Sequence, residues 1–303
     1  MSGMIPIPII LTAVVYSFIL SILAMGFTLQ YITLSVPNLA YATIAFASTY
    51  LTLTFSLMGM VPYTAMPFAF LLGGAISYML YKLVAYLRNK GTSIVGLMMA
   101  TIVFDLIIYA GMNIYADYLA QVFKLYAGSF SLSEYDLKIF SIPAVLFVSA
   151  ATSIGLVASF TLMLIKTKFG IAMRAVMENY NLANVHGINT ERVLSIAWFF
   201  VGGIAGLSGS LYPIWFAMDP WVGARMFISI FAACVVGGLR SIYGSLLGGF
   251  LIAFSEIIVT YLLSIYFPWI WAYRAVTSML IAAVALVEMP SGIAGLIQKW
   301  RGG

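Results

Sequence analysis

Apolar runs of roughly 20 residues recur from one end of this chain to the other, each long enough for a helix to cross a hydrocarbon core about 30 Å thick. In such a solvent only helices and closed barrels satisfy their own backbone hydrogen bonds. The short alternating segments of a barrel are missing. The expected fold class is therefore all-α, a polytopic transmembrane helix bundle of eight or nine spans. Composition agrees where it matters: 8% of the 303 residues are charged and mean hydropathy is +1.08, too little charge to clothe a water-facing surface.

Hydropathy and punctuation place the spans near 7–34, 38–58, 62–87, 92–115, 142–165, 193–216, 225–239, 243–266 and 270–288. Turns fall at Gly59 to Pro67 and Pro213 to Pro220, and Pro268 and Pro290 bracket the last span. The N-terminal run lacks the positive region of a secretory signal and is read as a retained span. The whole chain, 1–303, reads as a single transmembrane domain with one long polar loop at 166–192.

Lysine and arginine set the orientation. Lys82, Arg88 and Lys90 follow the third span, the polar loop follows the fifth, Arg240 follows the seventh, and Lys299 and Arg301 end the chain. Simple alternation puts all of them on one side, so that side, with the C-terminus, is expected to be cytoplasmic in the plasma membrane. The segment Ala116 to Ser141, with Asp117, Lys124, Glu134, Asp136 and Lys138, is expected outside. The net charge of +5 thus reflects loops against a lipid bilayer, and nucleic acid is not an expected partner.

Much chemistry is absent. There is no G-x-x-x-x-G-K-[ST] phosphate loop. One histidine, His186, and one cysteine, Cys234, leave no thiolate cluster and no expected metal site. No catalytic residues and no cofactor are expected on this chain, which points to a route across the membrane rather than an enzyme.

Several features bear on such a route. Pro37 and Asn38 sit where one span gives way to the next, either as a plain turn or as a broken helix that offers backbone groups to a cavity. The glycine strings at 201–210 and 235–250, including Gly237, Gly238 and Gly244, suit close helix packing. Asp105 and Glu256 lie within apolar runs, where a charge is costly unless paired, protonated or hydrated. Each either lines a pathway or is paired inside the bundle, and Arg274 and Glu288 lie nearer the span ends, within reach of the interface.

The loop is the polar exception. Lys166, Lys168, Arg174, Glu178, Glu191 and Arg192 cluster there with His186, in a chain holding 14 basic and 9 acidic residues. Met173 to Val185 contains neither proline nor glycine and reads as one weakly amphipathic helix, with Gly187 as its C-terminal cap. Its many amides favour the groove of a protein partner over an anionic lipid surface.

The run KFGIAMRAVMENYNLANVHGINTERVLSIAWFFVGGIAGLSGSLY, 168–212, resembles the cytoplasmic loop and following span of branched-chain amino-acid ABC transporter permeases. VVGGLRSIYGSLLGGFLIAFSE, 235–256, resembles the same family's glycine-rich segment and following glutamate, and MPSGIAG, 289–295, its ending. AMGFTLQYITLSVPNLAYATIAFASTYL near the N-terminus resembles its A-x-G-x-x-x-x-Y stretch followed by N-F-A-H-G. Here that element reads Asn38, Leu39, Ala40, Tyr41, Ala42, without the histidine and glycine, and Arg240 replaces a glycine. These departures touch substrate identity more than fold.

The resemblance implies one membrane half of an ATP-driven importer for branched-chain or related amino acids. The implied partners are a second permease subunit, two ABC ATPase subunits that bind ATP and Mg, and an extracytoplasmic solute-binding protein. Arg174, Glu178, Asn179, Ala183, Gly187, Ile188 and Asn189 become the expected ATPase-coupling residues. Pro37, Asn38, Tyr41, Asp105, Gly237, Gly238, Gly244 and Glu256 are candidates for pathway or packing. The alternatives are an ABC permease for another small solute, such as urea, an amide or a sugar, and a self-sufficient secondary transporter with Asp105 or Glu256 carrying a coupling proton.

Overall fold

A computed structural model describes residues 5–34, 36–124, 127–140, 142–289 and 292–295. In chain order the helices are α1 (Ile7–Leu34), α2 (Tyr41–Leu57), α3 (Met66–Asn89), α4 (Ile94–Phe123), α5 (Ala144–Lys166), α6 (Lys168–Glu178), α7 (Tyr180–Val185), α8 (Thr190–Leu211), α9 (Val222–Gly237), α10 (Ile242–Ser264) and α11 (Arg274–Glu288). A two-residue antiparallel pair, β1 (Lys138–Ile139) and β2 (Ile142–Pro143), closes the loop before α5. Nine of these helices are apolar and α6 and α7 are polar, so the helical bundle expected from hydropathy is the observed fold.

The helices are not equal. Among the described residues, seven helical stretches are long and apolar enough to cross a membrane, whereas α2 and α9 have 17 and 16 residues, about 26 and 24 Å at 1.5 Å per residue. The last stretch is itself composite: a 3-10 segment, Pro268–Tyr273, leads into an α11 of 15 residues. Three apolar helices are therefore shorter than the roughly 20 residues of a full crossing. The expected span 270–288 thus starts as 3-10 helix and becomes α-helix only at Arg274. In the other direction, α4 continues to Phe123, so Ala116 to Phe123 is helix and not the outward loop expected there.

At the centre stand α1 and α8, buried over 56% and 78% of their apolar windows against 11% for α4. Glycine sets how close their neighbours come. A Cβ at Gly202 would strike the Gly73 carbonyl, one at Gly206 the Ala69 carbonyl, and one at Gly209 the Ala45 carbonyl. Backbones that meet in this way exclude any larger residue, so the 201–210 string is a packing device. Gly237, Gly244 and Gly248 lock α9 to α10 by the same contact, and Gly238 turns the chain between them at φ +99°.

Side-chain pairs give the direction of each helix. Tyr16 meets Glu256 while Ser21 lies against Gly249, and Thr12 meets Trp215 while Thr33 meets Trp198, so α1 runs antiparallel to α10 and α8. Ser229 meets Ser278, and Arg274 meets Met226, so α9 and α11 run parallel. One end of the bundle then collects Lys82, Arg88, Lys90, Lys166, Lys168, Arg174, Arg192 and Arg240; it is called the basic end. The opposite, mixed end carries the N-terminus of α1, the segment 127–140 and the connections 212–221 and 265–273. Lys299, Arg301 and Pro290 lie outside the described residues.

The Pro37–Asn38 break resolves as a turn held by side chains of α1 and α4. Asn38 donates from Nδ2 to Gln30 Oε1 at 3.0 Å and accepts the Ala40 amide at 3.0 Å, while the Leu39 amide donates to Thr101 Oγ1 at 3.3 Å. Side chains thus take up the backbone groups that the break frees, as burial demands. Tyr41 packs edge-on against Phe27, with its hydroxyl filling the space where Gly26 lacks a side chain. Asp105 lies beside Thr43 in the first turn of α2, where a carboxylate meets the positive end of the helix dipole.

Candidate functional site: a capped loop and a charged cavity at opposite ends

At the basic end, the polar loop folds as two short helices, not the single one that Met173 to Val185 suggests. Asn179 is the reason. Its backbone is extended, φ −152° and ψ 103°, and its Oδ1 accepts the Leu182 amide at 3.0 Å, ending α6 and capping α7. Thr167 caps α6 by accepting the Gly170 amide at 3.0 Å, and Asn189 caps α8 by accepting the Arg192 amide at 2.9 Å. Gly170 lies so tightly on the last turn of α5 that a Cβ would collide with Leu164. Three helix starts in quick succession are therefore fixed by their own side chains.

Gly187 ends α7 at φ +82°. Its amide donates to the Asn184 carbonyl, and the Ile188 amide reaches back to the Ala183 carbonyl at 3.1 Å. This bond pair is the Schellman arrangement, which favours glycine at that left-handed position and brings an apolar residue after it onto the last turn. Met173, Val176 and Ala183 face inward. Arg174, Glu178, Asn179, Gly187 and Asn189 are exposed.

Of the residues singled out in the sequence, Glu178, Asn179, Ala183 and Ile188 line one cavity of about 370 Å³ with Ala175, Leu182 and His186. Arg174 lies outside that lining, one turn earlier on α6, and Asn189 serves the start of α8. Two residues not selected from sequence complete the surface: Leu182 is 56% exposed and Val185 82%. Apolar side chains at a polar tip are the unusual feature here. Their period against the amides was visible in the sequence, but their direction depended on where Asn179 breaks the helix.

The mixed end carries the second candidate, a cavity of about 430 Å³ between the starts of α9 and α11. Glu256 on α10 lines its floor, with 1% of its side chain exposed, and pairs with Arg274 Nε at 3.5 Å. Tyr16 donates to Glu256 at 3.1 Å, and Ser278 donates to its other oxygen. The Arg274 guanidinium lies over the rings of Tyr16 and Phe216, 5.1 and 5.8 Å from their centres, and donates to Tyr212 Oη at 3.1 Å. At the rim Asp219 pairs with Arg225 and accepts the Trp221 amide.

Arg274 does not reach the interface as its place near a span end suggests. The 3-10 segment carries it down to the level of Glu256, where pairing and aromatic faces offset the loss of water. Glu256 is thereby a paired group inside the bundle, while Glu288 remains exposed. The pair was hidden in sequence because its members lie on different helices. The available signal was one acid and one base in consecutive apolar runs, each needing a partner.

Residues 9–287 match the family model described as branched-chain amino acid transport system, permease component. A probable branched-chain amino acid transport permease protein LivH of Methanocaldococcus jannaschii is 38% identical over 291 residues, covering 95% of this chain and 92% of that protein. The high-affinity branched-chain permease LivH of Escherichia coli K12 is 30% identical over 130 residues, 43% of this chain and 40% of its own length. An autoinducer 2 import system permease, LsrC of Escherichia coli, is 35% identical over 117 residues, 38% of this chain and 33% of its own. Among solved structures, PsaBC of Streptococcus pneumoniae in complex with Fab shares the fold, with a TM-score of 0.54 at 12% identity, covering 91% of this chain and 90% of that one. With the match running almost from the start of α1 to the last turn of α11, this multi-pass membrane protein belongs to the branched-chain amino acid transport permease family.

Proposed function

We propose that this chain is one membrane half of an ATP-driven importer for branched-chain or related amino acids, with the basic end in the cytoplasm. The observation that carries the reading is the loop: a self-capped pair of helices presenting Leu182 and Val185 beside a small cavity. An ATPase subunit that receives this tip in a cleft would pass its closing motion to α5 and α8, because Thr167 and Asn189 join the loop to both without slack. Coupling of this kind needs a rigid element whose position both sites bias. ATP and Mg belong to the two ATPase subunits, a second permease completes the membrane pathway, and a solute-binding protein delivers at the mixed end.

The excess of lysine and arginine at the basic end supports this sidedness. The family supports the substrate class, while the import relative for autoinducer 2 keeps another small solute as the second reading. A proton-driven carrier would have to use Asp105, whose Oδ1 is buried without a hydrogen-bond partner, since Glu256 is already held by Arg274, Tyr16 and Ser278.

The test is a gentle pull-down of the tagged chain from its native membrane, with captured proteins identified by mass spectrometry. An ATPase subunit and a second permease are expected with the natural chain. The ATPase should be lost from the Leu182→Ser, Val185→Ser double variant while the second permease stays. Capture of the chain alone, from a preparation that preserves other complexes, overturns the reading.

A further inference from the structure

We infer that the mixed-end cavity is a binding site for the carboxylate end of a small zwitterion, with Arg274 as its anchor; the inference rests on the permease reading above. Four observations converge on it. First, α9 and α11 both begin at this cavity, and each helix start carries partial positive charge, with Asp219 capping the turn into α9 and a 3-10 segment running straight into α11. Helices that start within a membrane bundle are placed to receive anionic groups.

Second, Arg274 is the first residue of α11, where its charge adds to that end of the dipole instead of cancelling it. Such a placement is unfavourable for stability unless an anion lies near. Glu256 supplies one on the buried side, through Nε at 3.5 Å. The guanidinium has five donors, and a quarter of the side chain remains exposed toward the cavity. That exposed edge is the part available to a second carboxylate.

Third, the walls provide the other features of an amino acid. Trp271 offers an aromatic face to an ammonium group, while Asp219 at the rim is already paired with Arg225. Met226 and Val222 give an apolar side chain somewhere to lie. Fourth, the volume of about 430 Å³ falls in the lower part of the roughly 300–1,000 Å³ range of small-molecule sites. Glu256 lines the floor of the same cavity and holds the buried edge of Arg274, so a bound carboxylate shares the guanidinium with it.

Cys234 is the single cysteine and is buried, which permits a direct test. Ala217 lines the cavity and is exposed, so Ala217→Cys in the full chain, reconstituted in lipid nanodiscs, places a reporter thiol at the mouth. Its rate of modification by a methanethiosulfonate reagent is measured with L-leucine, with 4-methylpentanoate, which lacks the amino group, and with L-leucinamide, which lacks the carboxylate. The first two should slow modification and leucinamide should not. Arg274→Lys, which keeps the charge and loses the planar donor fork, should weaken protection about tenfold, as loss of a charge-assisted bidentate contact predicts.

Glu256→Gln removes the competing carboxylate from the cavity floor, so protection by L-leucine and 4-methylpentanoate should strengthen, while leucinamide should still give none. Equal protection by leucinamide, protection by none of the three, or an unchanged Arg274→Lys variant overturns the inference. If the cavity fails in this way while the pull-down still captures its partners, the importer reading stands and only the site falls.

Discussion

The two ends of this molecule solve opposite problems. At the mixed end, charge sits inside an apolar bundle and is stable only because Glu256 and Arg274 hold each other, with Tyr16, Ser278 and Tyr212 taking the remaining bonds. At the basic end, apolar side chains sit on a water-facing loop, and Leu182 and Val185 are tolerated only as a small patch. A misplaced polar group is paired within the chain, whereas a misplaced apolar group awaits a partner outside it. Damage at the first place should therefore appear in folding, and damage at the second in assembly.

The largest effect that sharpens this contrast is expected from Glu256→Ala. It leaves Arg274 inside the bundle without its carboxylate, and breaking such a pair typically costs about 3–5 kcal/mol. A thermal unfolding scan in detergent should show a large loss of stability. The double variant Glu256→Gln, Arg274→Gln removes both charges and should recover most of it, since two neutral amides can bond to each other and to Tyr16. If the single variant is as stable as the natural chain, Glu256 is not held by pairing, and the contrast between the two ends fails at its stronger side.

Gly187→Ala should act differently. At φ +82° a side chain costs roughly 1–2 kcal/mol, and the strain falls on the Schellman turn that points α7. The chain should remain folded in the membrane with little change in its unfolding temperature, while capture of the ATPase subunit falls severalfold. Loss of the chain from the membrane instead would make this loop a folding element and dissolve the distinction.

What the sequence made legible follows the same physics. Spans were readable because solvent selects them residue by residue: any run of roughly 20 apolar residues suffices, whatever it packs against. Gly187 was readable because a chain reversal after a helix demands it locally. Asn179 was not, because asparagine is tolerated within a helix as well as before one, and only the fit of α6 against α5 decides between them. The roughly two helical turns from Ala116 to Phe123 were missed for a related reason, since Asp117 and Lys124 look like a loop when their surroundings are unknown. Pairings such as Glu256 with Arg274 and Asp105 with the start of α2 depend on which helices become neighbours, and that information is spread over the whole chain.

The smallest effect concerns the remaining ion pair at the basic end. Lys82 and Glu191 meet at 3.1 Å, but their side chains are 46% and 58% exposed. Water and salt screen such a pair, and holding two long side chains together consumes most of what attraction remains. Glu191 also occupies the first turn of α8, where its charge meets the helix dipole directly, although Asn189 already caps that turn. Glu191→Gln should thus leave the unfolding temperature within error and preserve capture of the ATPase subunit. A clear loss of capture with stability unchanged would mean that the docking surface extends past Gly187 onto α8, and that polar contacts at the basic end are read from outside just as Leu182 and Val185 are.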